Sequence, residues 1–390
     1  MIILQLTFWI CVFLVIYTYL LFPFILRKLA GNRELKARSY THEELPLISV
    51  LIAAHNEEIM IRDKIESVLA GDYPHEKMEI LAGSDASTDR TNDILKQFAK
   101  ASTAVQPFIF EERQGKPCII NQLAEKARGE ILVISDANVI LEPDTLRELI
   151  RYFKEERIGL VDSRLMGTGI RKNGISRQER FYASREVSIK HHESVLWESM
   201  MGPFGGCYAV RKSCYNPVPD HFLVDDFYIN MSILERGGSC ISNIRAGVRE
   251  DVSNDPREEF RRKSRISAGN FQNLSRFGSL LFKGRRGVGF CFLSHKLIRW
   301  LVPFLVLASL ALSAVLALES DFYLILLLIH ILILSIPVIE HILRKIGIQS
   351  IPLRFISHFI LMNLALLAGF IRFSRGIKNN VWQPTSRNQD

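Results

Sequence analysis

No Lys or Arg precedes Arg27, no two cysteines form a CxxC pair, and no internal repeat or low-complexity tract interrupts the chain. Each absence excludes something. A secretory signal needs a basic start and a short apolar core, and the apolar stretch here is too long as well as uncharged at its start. The six cysteines neither pair at metal-site spacing nor cluster with His, which argues against a disulfide framework or a zinc site. They read as reduced thiols of a cytosolic domain.

What the chain has in excess is hydrophobicity. Of its 390 residues 48% are hydrophobic, and the mean hydropathy is +0.12. Residues 2–26, 297–318 and 322–339 form nearly uncharged runs, each long enough to cross about 30 Å of hydrocarbon at roughly 1.5 Å per residue. Arg27, Lys28, Arg33, Lys36 and Arg38 follow the first run. By the positive-inside rule the N-terminus lies outside and the central domain is cytosolic, giving a multi-pass protein of the inner (cell) membrane. The net charge of +8 gathers beside these runs, also at Lys283, Arg285 and Arg286 and at Arg372, Arg375 and Lys378. It is therefore read as attraction to the lipid bilayer, not to nucleic acid. Residues 276–296 read as an interfacial segment. A fourth run, 351–371, is expected to span, although that would leave Arg372, Arg375 and Lys378 outside, against the rule. The expected domains are a transmembrane helix at 1–27, a cytosolic domain at 46–275, the interfacial segment, transmembrane helices within 297–372 and a tail at 373–390.

The central region alternates strand and helix patterns. Residues 46–54 read as a buried strand ending in His55-Asn56-Glu57-Glu58, followed by a helix through Ile61, Ile65, Val68 and Leu69. Strands are expected at 78–82, 106–110 and 130–134, and helices after Asp89 and over 116–127. This alternation predicts an α/β domain whose parallel sheet has helices on both faces. Three acidic sites follow apolar runs: Asp85, Asp136, and the pair Asp225-Asp226. In an open α/β sheet ligands bind beyond the carboxyl ends of the strands. Acids there can hold a nucleotide, bind a metal or act as a base.

The order Ser49-Val50-Leu51-Ile52-Ala53-Ala54-His55-Asn56-Glu57, Asp85-Ala86-Ser87-Thr88-Asp89, Gly115-Lys116, Asp136-Ala137-Asn138 and Asp225-Asp226 resembles the family 2 glycosyltransferases of GT-A (nucleotide-diphospho-sugar transferase) fold, among them membrane-bound bacterial polysaccharide synthases. The resemblance covers residues 46–275. Short acidic motifs are individually unspecific; five in this order are not.

The resemblance implies roles. Ala54, Asn56, Glu57 and Asp85 would hold the nucleotide base, and Lys116 the nucleotide or its diphosphate. Against a base-binding Asp85 stands a helix-terminal carboxylate, a role that suits Asp89 better. Asp136 and Asn138 would form the metal site, for Mg²⁺ or Mn²⁺, with Asn in place of the family's second acid. Asp226 would be the catalytic base, with Asp225 orienting the site. Gly205, Gly206 and Tyr208 would line the acceptor side, Phe204 or Tyr208 stacking on a sugar. Arg265 would contact the diphosphate. Beside it Ile266 stands where processive relatives carry Trp, which speaks for short products.

Together these imply a membrane-bound inverting glycosyltransferase of hexosyltransferase type. It would move sugar from a nucleotide-sugar donor, expected to be a UDP-sugar, to a lipid-linked or polysaccharide acceptor in exopolysaccharide or cell-envelope synthesis. The alternatives are a polyprenyl-phosphate sugar transferase and a non-catalytic membrane partner that kept the fold.

Overall fold

The computed structural model describes residues 1–38, 40–168, 176–251, 255–283 and 287–377. Arg285, Arg286, Lys378 and the tail from 378 lie outside the described residues.

Eight strands form one sheet: β1 (Ile48–Ala54), β2 (Met78–Asp85), β3 (Val105–Phe110), β4 (Ile131–Asp136), β5 (Ile140–Leu141), β6 (Ile158–Thr168), β7 (Cys207–Arg211) and β8 (Ser239–Asp251). Their order is β3-β2-β1-β4-β7-β6-β8-β5. The first four are parallel, with Ile48 opposite Met78 on one side and Ile131 on the other. β7 runs antiparallel to both β4 and β6, while β6 and β8 are parallel. The parallel half matches the expectation from alternating strand and helix signals; the mixed half does not follow from it.

Strand β1 shows why the sheet is double-sided. Ile48, Val50, Ile52 and Ala54 enter one core with Ile61, Ile65 and Val68 of the helix Ile61–Leu69. Leu51 and Ala53 point the other way, into a core with Ile119 and Leu123 of the helix Lys116–Lys126 and Phe227 of the helix Asp225–Glu235. A period of two places alternate residues on opposite faces, and a strand covered on both faces is apolar throughout.

Four helices are long and apolar enough to cross a membrane: Ile2–Ala30, Val288–Leu316, Asp321–Lys345 and Ile351–Ser374. The second starts well before residue 297, so much of the expected interfacial segment is the beginning of this helix. There Phe292 and Trp300 join the core shared with Phe227 and Phe277, so the domain's packing continues into the helix. The fourth lies along the helix Pro256–Phe277. The Ser267 hydroxyl donates to Leu366 O at 2.7 Å, and Phe271 packs on Phe370 and Phe373. Gly369 permits the approach, since a Cβ there would meet Ser267 and Ser264 O at about 2.5 Å.

Candidate active site

The strand ends and the loops after them are fastened to one another. Asn56 and Ala86, which follow β1 and β2, both have φ 53, a left-handed conformation that Asn tolerates and Ala rarely adopts. Asn56 accepts from Thr88 N at 2.8 Å, and its own N–H donates to Ser87 Oγ at 3.1 Å. Glu57 N donates to Thr91 Oγ1, and Glu58 N to Asp89 Oδ2. Asp89 Oδ1 accepts from Thr91 N at 3.0 Å, at the start of the helix Thr91–Ala101. Asp89 thus takes the helix-terminal role expected of it. Asn56 is exposed, Glu57 half-buried and Ala54 buried at the strand end.

Asp85 is fully buried, and its carboxylate is engaged within the protein. It accepts from Arg113 Nη1 at 2.6 Å, Gln114 N at 2.7 Å and Gly115 N at 3.0 Å. In this conformation Asp85 fixes the loop that delivers Lys116. Gly115 has φ 89, so glycine suits this turn, and Lys116 opens the following helix.

Lys116 is the hub of the site. Its Nζ lies 2.6 Å from Asp136 Oδ1, 3.7 Å from Asp225 Oδ2 and 3.2 Å from Gly205 O. Burial opposes the ammonium charge, but the Asp136 and Asp225 carboxylates outweigh it and raise the Lys116 pKa. Asp136 ends β4, where its N–H donates to Gly206 O at 2.9 Å. Asp225 and Asp226 occupy the first turn of the helix Asp225–Glu235, where the helix dipole favours anions. Asp226 Oδ1 accepts from Phe227 N at 2.8 Å. Burial, reinforced by the neighbouring Asp225, pushes the Asp226 carboxyl up to about 7. A carboxyl that titrates near neutrality beside a second acid has the pattern of a general base.

The acid pair is held from behind by the helix Pro256–Phe277. Leu223 N donates to Gln272 Oε1, Gln272 Nε2 to His221 O, and Arg265 Nη1 to Leu223 O at 2.9 Å. Arg265 loses proton affinity to burial and the neighbouring Arg262, against the pull of Asp225, Asp226 and Asp136. Its charge therefore belongs to the same cluster.

Gly205 sits where no side chain fits, since a Cβ would come within 2.6 Å of Asp226 Oδ2. Gly206 is likewise blocked, by the Phe204 ring. The loop carrying them is supported from below. Phe204 N donates to Asp162 Oδ1 at 2.7 Å, and Asp162 is paired with Lys190 at 2.6 Å in full burial.

One expectation changes. The Tyr208 ring is fully buried in β7, so it offers no face for stacking on a sugar. Its hydroxyl has no hydrogen-bond partner among the described residues, and burial, then Asp225 and Asp226, drive its pKa well above the usual value. Asn138 is buried and spends its amide N–H on Glu250 Oε1 at 3.1 Å, leaving only its carbonyl oxygen for a cation.

Sequence reading missed Arg113 and Lys64. Lys64 is fully buried, and Nζ donates to Ser135 Oγ at 2.6 Å and to Val139 O at 2.7 Å, one on each side of Asp136-Ala137-Asn138. Ser135 Oγ in turn donates to Gly206 O. Burial lowers the Lys64 pKa to about 8. A signal was present, because Lys64 falls on the apolar face with Ile61, Ile65 and Val68, where a charge has to have a purpose. Lys64→Met keeps the length and loses both bonds. It is expected to cost about 1–3 kcal/mol of stability, measured by chemical denaturation, and to slow turnover about tenfold or more by loosening the Asp136 turn. Wild-type turnover in that variant would show that the bonds serve only the fold.

The chain can now be set beside known proteins. A family model described as "Glycosyl transferase family 2" matches residues 49–216, somewhat under half of the chain. The chain is 24% identical over 261 residues to "Probable glycosyltransferase YdaM" of Bacillus subtilis, covering 63% of this chain and 60% of that one. It is 26% identical over 166 residues to beta-monoglucosyldiacylglycerol synthase of Nostoc sp., covering 41% of this chain and 36% of that protein. Over 145 residues it is 30% identical to poly-beta-1,6-N-acetyl-D-glucosamine synthase of Staphylococcus epidermidis, covering 36% and 34% respectively. The chain thus spans less than two thirds of the length of these relatives. Among solved structures, the mannosyltransferase PcManGT of Pyrobaculum calidifontis, in complex with GDP-Man and Mn²⁺, superposes with a TM-score of 0.70 at 18% identity, covering 94% of this chain and 99% of that one. That likeness is one of fold. Residues 49–216 thus match the family 2 glycosyltransferase model, and the fold is a GT-A sheet joined to four helices long and apolar enough to cross a membrane.

Proposed function

We propose that the chain moves a sugar from a nucleotide-sugar donor to a lipid-linked or polysaccharide acceptor at the cytosolic face of the inner membrane, by a single inverting displacement. The observation that carries this reading is the convergence of Asp136, Lys116, Asp225 and Asp226 with Gly205 at the carboxyl end of β4 and the start of the helix Asp225–Glu235. The acceptor hydroxyl oxygen attacks the anomeric carbon as the bond to the diphosphate oxygen breaks. Asp226 takes the hydroxyl proton, and the nucleoside diphosphate leaves with the bonding electrons. Lys116 and Arg265 supply positive charge for that leaving group. Asp85 orders the Arg113–Gly115 loop from which Lys116 projects, and base contacts fall to the strand-end groups at Ala54, Asn56 and Glu57, with Asp85 itself once Arg113 gives way. Gly205 and Gly206 let an acceptor approach the base closely, with the half-buried Phe204 as the ring beside it.

A divalent cation fits the donor set. No three His, Cys, Asp or Glu side chains among the described residues form a cage. However, Mg²⁺ is commonly held by one or two carboxylates together with substrate phosphates. Three acids against Lys116 and Arg265 also leave surplus negative charge, once Asp226 is ionised, that an added cation would balance. Asp136 would be its principal protein ligand, with the Asn138 carbonyl as second. Bound there, Mg²⁺ or Mn²⁺ would neutralise charge on the departing diphosphate. The names of the relatives support both a lipid and a polysaccharide acceptor; a UDP-sugar is the proposed donor.

The base assignment has a pH signature. With its pKa raised to about 7, Asp226 is protonated and idle below that value. The expected kcat/KM falls about tenfold per unit below pH 7 and levels off above it. A flat profile from pH 5.5 to 8 would exclude Asp226 as the base. Incubating the full-length protein with a panel of nucleotide sugars in lipid, then identifying the product by mass spectrometry, tests the function as a whole. Transfer from one donor is expected, and no transfer from any of them counts against the reading.

A further inference from the structure

Away from the active site, at the inner end of the first two spans, two arginines flank one aromatic ring and a lysine stands close by in sequence. Arg185, from the helix Ser176–Trp197 of the domain, lies 5.9 Å from the Tyr19 ring centre, and Arg299 lies 5.6 Å from it. Tyr19 belongs to the span Ile2–Ala30 and Arg299 to the span Val288–Leu316. Lys296 stands one turn before Arg299. The carboxylates at hand are few. Glu186 is bonded to Arg299 and lies 3.3 Å from Lys296 Nζ and 3.1 Å from His295 Nε2. Glu193 is committed to His295 Nδ1 at 2.8 Å and to Met201 N at 3.0 Å. Arg185 makes no ion pair among the described residues. Arg299 is only 6% exposed, yet its Nε has no hydrogen-bond partner among the described residues.

The depth is informative. Seventeen residues separate Arg299 from Leu316, the end of its helix, and at 1.5 Å each they cover about 25 Å. That is close to the hydrocarbon thickness and puts the cluster at headgroup level. Beside it, Phe181 and Tyr182 are 59% and 38% exposed, four and three residues before Arg185 and so on its face of the helix. Aromatic side chains of this kind collect at membrane interfaces. A surplus of partly buried positive charge needs a counter-anion, because unpaired buried charge is strongly destabilising. Basic pockets between spans on the cytoplasmic side take lipid phosphate groups.

We propose that Arg185 and Arg299, which flank Tyr19, together with Lys296, which shares Glu186 with Arg299, bind the phosphate of an anionic lipid in the inner leaflet. The proposal rests on the membrane placement of the two spans and not on the transfer chemistry. It is tested with the full-length protein in mixed micelles containing phosphatidylglycerol and phosphatidylcholine, by native mass spectrometry of retained lipid. Wild type should retain phosphatidylglycerol and not phosphatidylcholine. The Arg185→Gln/Lys296→Gln variant should retain about tenfold less or lower still, while Arg185→Lys, which keeps the charge, retains it. Equal retention by wild type and the double variant, or retention of both lipids alike, overturns the proposal. Displacement of phosphatidylglycerol by millimolar inorganic phosphate would overturn the lipid assignment in favour of a free-anion site.

Discussion

Asp226→Asn is expected to slow sugar transfer by about 10²- to 10⁴-fold, the usual contribution of a positioned general base. Donor affinity should change little, because the contacts proposed for the diphosphate are Lys116 and Arg265 rather than the base. Stability should move the other way from activity. The folded state raises the Asp226 pKa from 3.8 to about 7. The native protein therefore holds the proton more tightly than the unfolded chain does between those values. That contribution is complete below pH 3.8 and is lost as the pH rises through 7. Above pH 7 the native state carries a second carboxylate beside Asp225, and Asn removes that repulsion. At pH 8 the variant should be at least as resistant to thermal unfolding as wild type. An inactive but well-folded variant places the loss in the chemistry; one that is inactive because it unfolds does not. Wild-type turnover in Asp226→Asn would remove the base from the account.

Asp136→Ala is expected to lower turnover by about 10²- to 10³-fold, the scale on which loss of a single electrostatic contact to the developing charge acts. Two effects combine. The residue faces Lys116 Nζ at 2.6 Å, so its removal frees the lysine to swing toward Asp225. It is also the proposed cation ligand. The two are separable by titrating Mg²⁺ or Mn²⁺. Loss of the ligand raises the metal concentration needed for half-activity, whereas loss of lysine positioning alone leaves it unchanged. Excess chelator should abolish wild-type activity, and full activity in chelator would leave Asp136 with the lysine role only. In the same assay Asn138→Asp should lower the metal requirement, since it replaces an amide now turned to Glu250 with a charged oxygen donor.

The parts of this fold that were legible in the sequence share a physical cause. β1, β2 and β4 are buried on both faces, so each reads as a largely apolar run, and the acids that end β2 and β4 fall where an α/β sheet binds its ligands. The second half of the sheet was not legible. β6 and β8 reach into solvent and mix charged with apolar residues, as in Arg164 and Arg249, so neither periodicity is clean. Site residues divide in the same way. Lys116, Asp136, Asp225 and Asp226 stand in motifs, and the fold brings Asp136 and Asp225 within contact range of Lys116, with Asp226 next to Asp225 on its helix. Arg113 lies in a loop whose composition says nothing of Asp85. Lys64 carried a signal, a charge on an apolar helix face, that motif reading passes over. Tyr208 shows the reverse error. Its position in the motif suggested the acceptor, but strand parity turns its ring into the core. The path of the helix Ile351–Ser374 along the helix Pro256–Phe277 is likewise invisible to hydropathy, which sees only a run of suitable length.

The central claim is a single displacement at the anomeric carbon with Asp226 as the base. The most direct test is the anomeric configuration of the first product formed by the purified full-length protein in lipid, read by NMR from a donor of known configuration. The account predicts inversion, an α-linked nucleotide sugar giving a β-linked product. A product that keeps the donor's configuration would contradict it.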